Sequence, residues 1–194
     1  MSAGIPLRDA LAALHAARGP DDVVVTTMAA AREWMALGAA PRDLVLVPSS
    51  MGQATSFALG IALAQPSRRV VVCNGDGSML MNLGSLVTIA AEAPPNLAVL
   101  LFDNGVYEVT GAQPTPNAGR VDYAAVARGC GIATTWRFSD LDAWTAAIPE
   151  LLGTRGPTFA ALDTLAEPGR PGPRSPGPAG ERAARLRAAL TGGD

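Results

Sequence analysis

Two short stretches concentrate the residues able to do chemistry: Gly75-Asp76-Gly77-Ser78 and Asp103-Asn104-Gly105-Val106-Tyr107-Glu108. Asp76 and Asn104 offer a carboxylate and a carboxamide oxygen, hard donors that suit Mg²⁺ or Ca²⁺ and not a thiophilic metal. Magnesium takes few protein ligands and completes its octahedron with water and phosphate oxygens. Gly77 and Ser78 add backbone N–H groups and a hydroxyl where a helix is expected to start, a position that favours an anion. A cation beside such a start describes a diphosphate site. Each residue also has a plainer reading: Asp76 as a helix N-cap, Asn104-Gly105 as a turn, Met51 as a core methionine.

For the two stretches to meet, each must leave the same end of one sheet. The apolar runs Val70–Cys73 and Leu97–Phe102 lead directly into them and contain no charge, as expected of strands covered on both faces. Around them the pattern predicts helices over 7–18, 29–38, 53–64, 79–92, 122–128 and 141–152. Further strands are predicted over 22–27, 44–47, 133–138 and 158–162, with a turn at Pro48-Ser49-Ser50-Met51-Gly52. Alternating strand and helix implies an α/β fold, a three-layer doubly wound parallel sheet, whose ligands bind at the carboxyl ends of the strands. Residues 1–166 form this domain. EPGRPGPRSPGPAG, over 167–180, is too rich in proline and glycine for regular structure and reads as a linker or arm. Residues 181–191 then form a short amphipathic C-terminal helix.

Composition narrows the chemistry. A net charge of −2 argues against a nucleic-acid or anionic-membrane surface. All 15 basic residues are arginine, so neither a Walker A lysine nor Schiff-base chemistry is available. The single histidine, His15, lies in an N-terminal helix and reads as a surface residue; a histidine metal site or a Ser-His-Asp triad is excluded. Cys73 and Cys130 lack metal-ligand spacing and read as buried core residues, not disulfide partners. With no signal peptide and no spanning run, the expected location is cytoplasmic.

Gly75-Asp76-Gly77, followed after the 25 residues 78–102 by Asp103-Asn104, resembles the thiamine-diphosphate-binding motif. The resemblance extends through SSMGQATSFALGIALAQPSRRVVVCNGDGSMLMNLGSLVTI and DNGVYEVTGAQPT to the diphosphate-binding domain of phosphonopyruvate and sulfopyruvate decarboxylases. It is greatest with the separate β subunit of the latter. The resemblance implies Mg²⁺ held by Asp76, Asn104 and the Val106 carbonyl, and thiamine diphosphate held at Gly75, Gly77 and Ser78. It implies Met51 beneath the thiazolium and backbone near Met51 and Gly52 on the aminopyrimidine. Tyr107 and Glu108 would face the diphosphate or substrate, with Glu108 either a catalytic acid/base or a solvated loop carboxylate. Asn82 and Gln113 are weaker candidates for substrate contact, and Arg68-Arg69 read as a solvated turn.

The sequence departs from the family pattern at Ser49, where glycine is usual, at Asp103, where the first Asn is usual, and at Thr26-Thr27-Met28, which lacks an expected glycine. In the family, a glutamate of a pyrimidine-binding domain activates the cofactor. This chain has six glutamates, none in such a domain. The resemblance therefore implies a separately encoded pyrimidine-binding α subunit, an α2β2 assembly, and decarboxylation of a small 2-oxo acid resembling phosphonopyruvate or sulfopyruvate. The alternatives are a carboligase of acetolactate-synthase type and a non-catalytic scaffold that retains the fold.

Overall fold

The computed structural model describes residues 4–47 and 51–192. Six parallel strands build the sheet: β1 (Val23–Thr27), β2 (Leu44–Leu46), β3 (Val70–Gly75), β4 (Leu97–Asp103), β7 (Thr134–Phe138) and β8 (Thr158–Asp163). Their spatial order is β2-β1-β3-β4-β8-β7, and β5 (Val106–Tyr107) with β6 (Gln113–Pro114) forms a separate antiparallel ribbon. This is the expected three-layer, doubly wound sheet.

Strand side chains alternate between two cores because successive residues point to opposite faces. Val23, Val25, Val70, Val72, Val99 and Leu101 enter the core formed with helices α3 (Ala54–Ala64), α5 (Ser85–Glu92) and α6 (Tyr123–Gly129). Val24, Val71, Cys73, Ala98 and Leu100 enter the opposite core, with α1 (Leu7–Ala17), α2 (Met28–Leu37) and α7 (Leu141–Gly153). The centre of the sheet is therefore dry on both faces, which explains why its strands read as unbroken apolar runs.

Two expectations need correction. The single helix expected over 79–92 is two: α4 (Asp76–Leu80) starts at the end of β3, and residues 81–84 turn before α5. Asn82 and Gly84 disfavour a continuous helix, and Asn82 donates its amide to the Gly52 carbonyl at 2.8 Å, leaving the helix to tie down a distant loop. His15 is half-buried, not a surface residue; its Nε2 lies 3.0 Å from the Gly38 carbonyl and its ring meets Trp34 edge-on.

The chain leaves β8 along an irregular arm and ends in α8 (Ala179–Thr191), which begins two residues before its expected start. The guanidinium of Arg182 donates to the carbonyls of Val45, in edge strand β2, and Val47, just after it, so α8 is tied to that edge. Cys73 is buried and Cys130 half-buried, both as free thiols. Among the described residues no helix is long and apolar enough to cross a membrane.

Candidate functional site

The strand order reverses at β1: the chain steps outward to β2 and then returns to β3 on the other side. Crevices at the carboxyl ends of strands form at such a reversal. The cavity here is lined by Thr27 from the end of β1, Asn74 to Ser78 from β3 and α4, and Asn104 and Val106 to Thr110 from the loop after β4. Gly75 pairs with Phe102 across β3 and β4, which puts Asp76 and Asn104 on the same rim, as their spacing predicts.

Asp76 is 2 % exposed. The N-cap of α4 is Gly75 and Asp76 is the first helical residue, so capping does not account for the carboxylate. Its Oδ2 accepts the Thr115 hydroxyl at 2.9 Å, and backbone N–H groups of Gly77 and Asn104 also point to it. Burial pushes its pKa above the ordinary carboxylate value, and these donors only partly offset that effect. Among the described residues, no arginine pairs with it. Asp103 is pushed up to about 6, first by burial and then by the charge of Asp76, against an opposing hydrogen bond from the Gly105 amide. The rim holds more negative charge than its surroundings compensate.

The other donors and acceptors complete the description. Asn104 Oδ1 accepts the Val106 amide at 3.1 Å, a local turn that projects the loop over the rim. Ser78 Oγ accepts the Gly52 amide at 3.0 Å, which leaves the hydroxyl hydrogen free to donate. Gly52, at φ +78°, has its N–H on Ser78 and its carbonyl on Asn82, so little but its second carbonyl lone pair remains for another partner. A Cβ at Gly77 would lie 2.6 Å from Cε1 of Tyr107: only glycine lets that ring close over the turn. Met51 and Val106 also line the cavity. Two fully buried donors in its wall, Asn74 Nδ2 and Thr27 Oγ1, have no hydrogen-bond partner. Unpaired buried donors are costly, and these two sit beneath the rim that carries Asp76.

Glu108 is not a solvated loop carboxylate. It is 7 % exposed, and its oxygens meet Arg32 Nη2 at 3.3 Å, Asn104 Nδ2 at 2.9 Å and the Glu167 amide at 3.1 Å. Gln113 donates to the Thr110 carbonyl and supports its own loop. Arg68 and Arg69 are both half-buried, not a solvated turn: Arg68 pairs with Asp21, 47 residues away, at 3.1 Å, and Arg69 donates to the Thr154 carbonyl at 2.9 Å. Ser49 lies outside the described residues.

Sequence reasoning missed Thr115, Asn74 and Arg32. Asn74 adjoins the quoted motif and Thr115 ends the Gln-Pro-Thr tail, so both were within reach of a question about what satisfies Asp76. Arg32 sits in a helix 76 residues from its partner and carries no local signal.

No three His, Cys, Asp or Glu side chains among the described residues gather as a metal cage. Asp76 and Asn104 therefore fit a cation that brings most of its own ligands, as Mg²⁺ does with water and phosphate. The buried, uncompensated carboxylate and the partnerless donors beside it fit that pairing of cation and anion.

The model of the family described as "Thiamine pyrophosphate enzyme, C-terminal TPP binding domain" matches residues 22–161. The phosphonopyruvate decarboxylase of Streptomyces hygroscopicus is 40% identical over 181 residues, covering 81% of this chain and 45% of that protein. The sulfopyruvate decarboxylase subunit beta of Methanothermobacter thermautotrophicus is 42% identical over 141 residues, 72% of each chain. In fold, the chain is similar to the thiamine diphosphate-dependent 4-hydroxybenzoylformate decarboxylase of Rhodococcus jostii RHA1. That match has a TM-score of 0.71 at 22% identity and covers 86% of this chain and 34% of that one. The chain thus spans less than half of the phosphonopyruvate decarboxylase it matches.

Proposed function

The chain belongs to the thiamine pyrophosphate enzyme family, as its C-terminal TPP binding domain, and from that premise we propose that it is the diphosphate-binding subunit of a 2-oxo acid decarboxylase. Residues 1–166 form the cofactor-binding domain, and the arm and α8 are appended to it. The observation that carries this reading is Asp76: a buried carboxylate with no cationic partner, at the reversal of the sheet, beside an amide oxygen and two buried donors without acceptors.

Asp76 and Asn104, with the Val106 carbonyl, hold Mg²⁺. Gly75, Gly77 and Ser78 form the diphosphate cradle, and the unpaired buried donors of Asn74 and Thr27 beneath it are in keeping with that reading. Tyr107 closes over Gly77 and excludes water from that turn. Met51 supports the thiazolium, and the Gly52 carbonyl faces the aminopyrimidine. When bound, thiamine diphosphate supplies the electron sink for the pair released as a 2-oxo acid loses CO₂. This chain contributes the charge balance: the cation neutralises Asp76 and the diphosphate together, which makes burial of both affordable.

The substrate class is a small 2-oxo acid with a second anionic group, of the phosphonopyruvate or sulfopyruvate kind. No arginine is among the residues that line the cavity, and Arg32 behind it is engaged by Glu108, Glu33 and the Pro171 carbonyl, so recognition of that group falls to a partner. The partner is a separately encoded pyrimidine-binding α subunit that also provides the activating glutamate, in an α2β2 assembly. Supporting this, relatives of the chain are named as a subunit beta, and Phe57, Leu63, Met81 and Val87 remain exposed on α3, α5 and the turn before α5. Large apolar side chains grouped on adjoining elements suit an interface.

Native mass spectrometry of the full chain, isolated gently from its source with Mg²⁺ and thiamine diphosphate, tests the proposal. A complex carrying a second protein and the cofactor mass, which decarboxylates a 2-oxo acid, is the expected result. Failure to take up cofactor in excess, in any assembly, would leave only a scaffold.

A further inference from the structure

An amide side chain can face either way round, and an acceptor for its nitrogen holds its oxygen ready for a cation. For Asn104 that partner is Glu108. A carboxylate only accepts hydrogen bonds, so the contact at 2.9 Å must use the Asn104 NH₂ group, leaving Oδ1 on the other side with the Val106 amide.

Glu108 is in turn a buried charge that needs support, and the support comes from two distant parts of the chain. Arg32, on α2, gives Nη2 to Glu108 Oε1 at 3.3 Å and Nε to Glu33 at 2.8 Å. The arm after β8 supplies the rest. The Glu167 amide donates to Glu108 Oε2 at 3.1 Å, the Pro171 carbonyl accepts Arg32 Nη1 at 3.0 Å, and Arg170 lies 3.2 Å from Glu33 and also pairs with Glu167. Next to these, a Cβ at Gly172 would come within 2.7 Å of Val109 Cγ1, so the arm runs tight against the turn that carries Glu108. The stretch that reads in sequence as a linker or arm is an arm, anchored behind the loop that carries Glu108.

We propose that Glu108 and Arg32, clamped by arm residues 167–171, are positioning residues that fix the Asn104 carboxamide oxygen toward the cation held by Asp76. This rests on the Mg²⁺–diphosphate reading of the site. It assigns Glu108 a role other than proton transfer: both its oxygens are engaged, and their partners are the ligand it orients and the groups that hold it still.

The test uses the full chain, isolated from its source with whatever it binds, thiamine diphosphate in excess, and Mn²⁺ as the probe, its free concentration read by electron paramagnetic resonance. Glu108→Ala should weaken Mn²⁺ binding roughly 10- to 100-fold, the usual effect of removing a partner of a metal ligand. Glu108→Gln retains an oxygen that can accept from Asn104 and should recover most of that loss. Arg170→Ala, at an exposed position where folding is not at stake, should weaken binding about threefold, the smaller share expected of a group two contacts away from the ligand. Wild-type affinity in Glu108→Ala would overturn the proposal, as would a Gln variant no better than Ala, and wild-type affinity in Arg170→Ala alone would remove the arm from it. If the parent chain takes up no Mn²⁺, or Asp76→Asn takes it up unchanged, the reading of the site itself falls and the clamp with it. Uptake that depends on Asp76 but not on Glu108 removes the clamp alone.

Discussion

Two buried aspartates in this molecule have opposite surroundings. The Asp43 side chain is fully buried and saturated: Arg18 Nη1 reaches both oxygens at 2.7 Å, Trp34 Nε1 donates at 2.8 Å, and the amides of Ala40 and Val24 donate at 2.7 and 3.3 Å. These contacts tie the end of α1, strand β1, helix α2 and the entry to β2 into one knot. Asp76 is as deeply buried but receives only a hydroxyl and backbone amides. The difference teaches how to read a buried charge. Where the fold supplies the counter-charge the group is structural; where it withholds the counter-charge, a ligand is expected to bring it.

The comparison predicts contrasting responses to mutation. The largest effect belongs to Asp43→Ala, which strands the Arg18 guanidinium and an indole N–H in the interior. It should cost about 3–5 kcal/mol in chemical unfolding, and added Mg²⁺ and cofactor should not make the loss smaller. Asp76→Asn should do the reverse. Cation uptake in calorimetry with thiamine diphosphate present should fall roughly 100-fold or more, above the range for outer partners of a metal ligand. The ligand-free variant should unfold no more easily than its parent at pH 7. A marked loss of ligand-free stability would make Asp76 a second Asp43 and dissolve the contrast.

The smallest effect sharpens it. Asp103 is pushed from 3.8 up to about 6 by burial and by Asp76. A carboxyl raised in the folded state leaves stability intact below its ordinary value, where folded and unfolded chains are both protonated. Stability is then lost as pH climbs from about 4 to about 6, because the unfolded chain ionises first. Asp103→Asn escapes that loss. Without cation, it should match its parent near pH 4 and exceed it above pH 6 by about 1 kcal/mol after discounting for partial solvent exposure, or about 2–4 °C in Tm. Mg²⁺ with cofactor should narrow the gap, since a cation at Asp76 relieves the repulsion. A gap independent of pH would mean that charge is not its cause.

Much of this architecture is legible in the sequence for a simple reason. Val70 to Cys73 and Leu97 to Phe102 are apolar at every position, the pattern of strands covered on both faces, which parallel sheets with helices on either side produce. Once those runs are adjacent strands, Gly75-Asp76-Gly77 and Asp103-Asn104 must emerge together at their carboxyl ends. The chemistry at the rim follows from residue type, since a carboxylate and an amide oxygen are hard donors wherever they sit. The fold and the meeting of these two stretches at one rim are thus local properties carried upward.

Other features exist only once the chain is folded. The single helix expected over 79–92 breaks because Asn82 meets Gly52, a loop 30 residues away. Glu108 reads as a loop carboxylate until Arg32, 76 residues earlier, and Glu167, 59 residues later, arrive beside it. Thr115 gains its meaning only by landing 2.9 Å from Asp76. The arm over 167–180 has no periodicity to read, and it is ordered by the charges it meets. Side-chain periodicity reports which face of an element is dry, because burial acts on every residue of that element. It says nothing about which charge meets which, since an ion pair or hydrogen bond is decided by ångström-scale separations that only the packed tertiary structure sets.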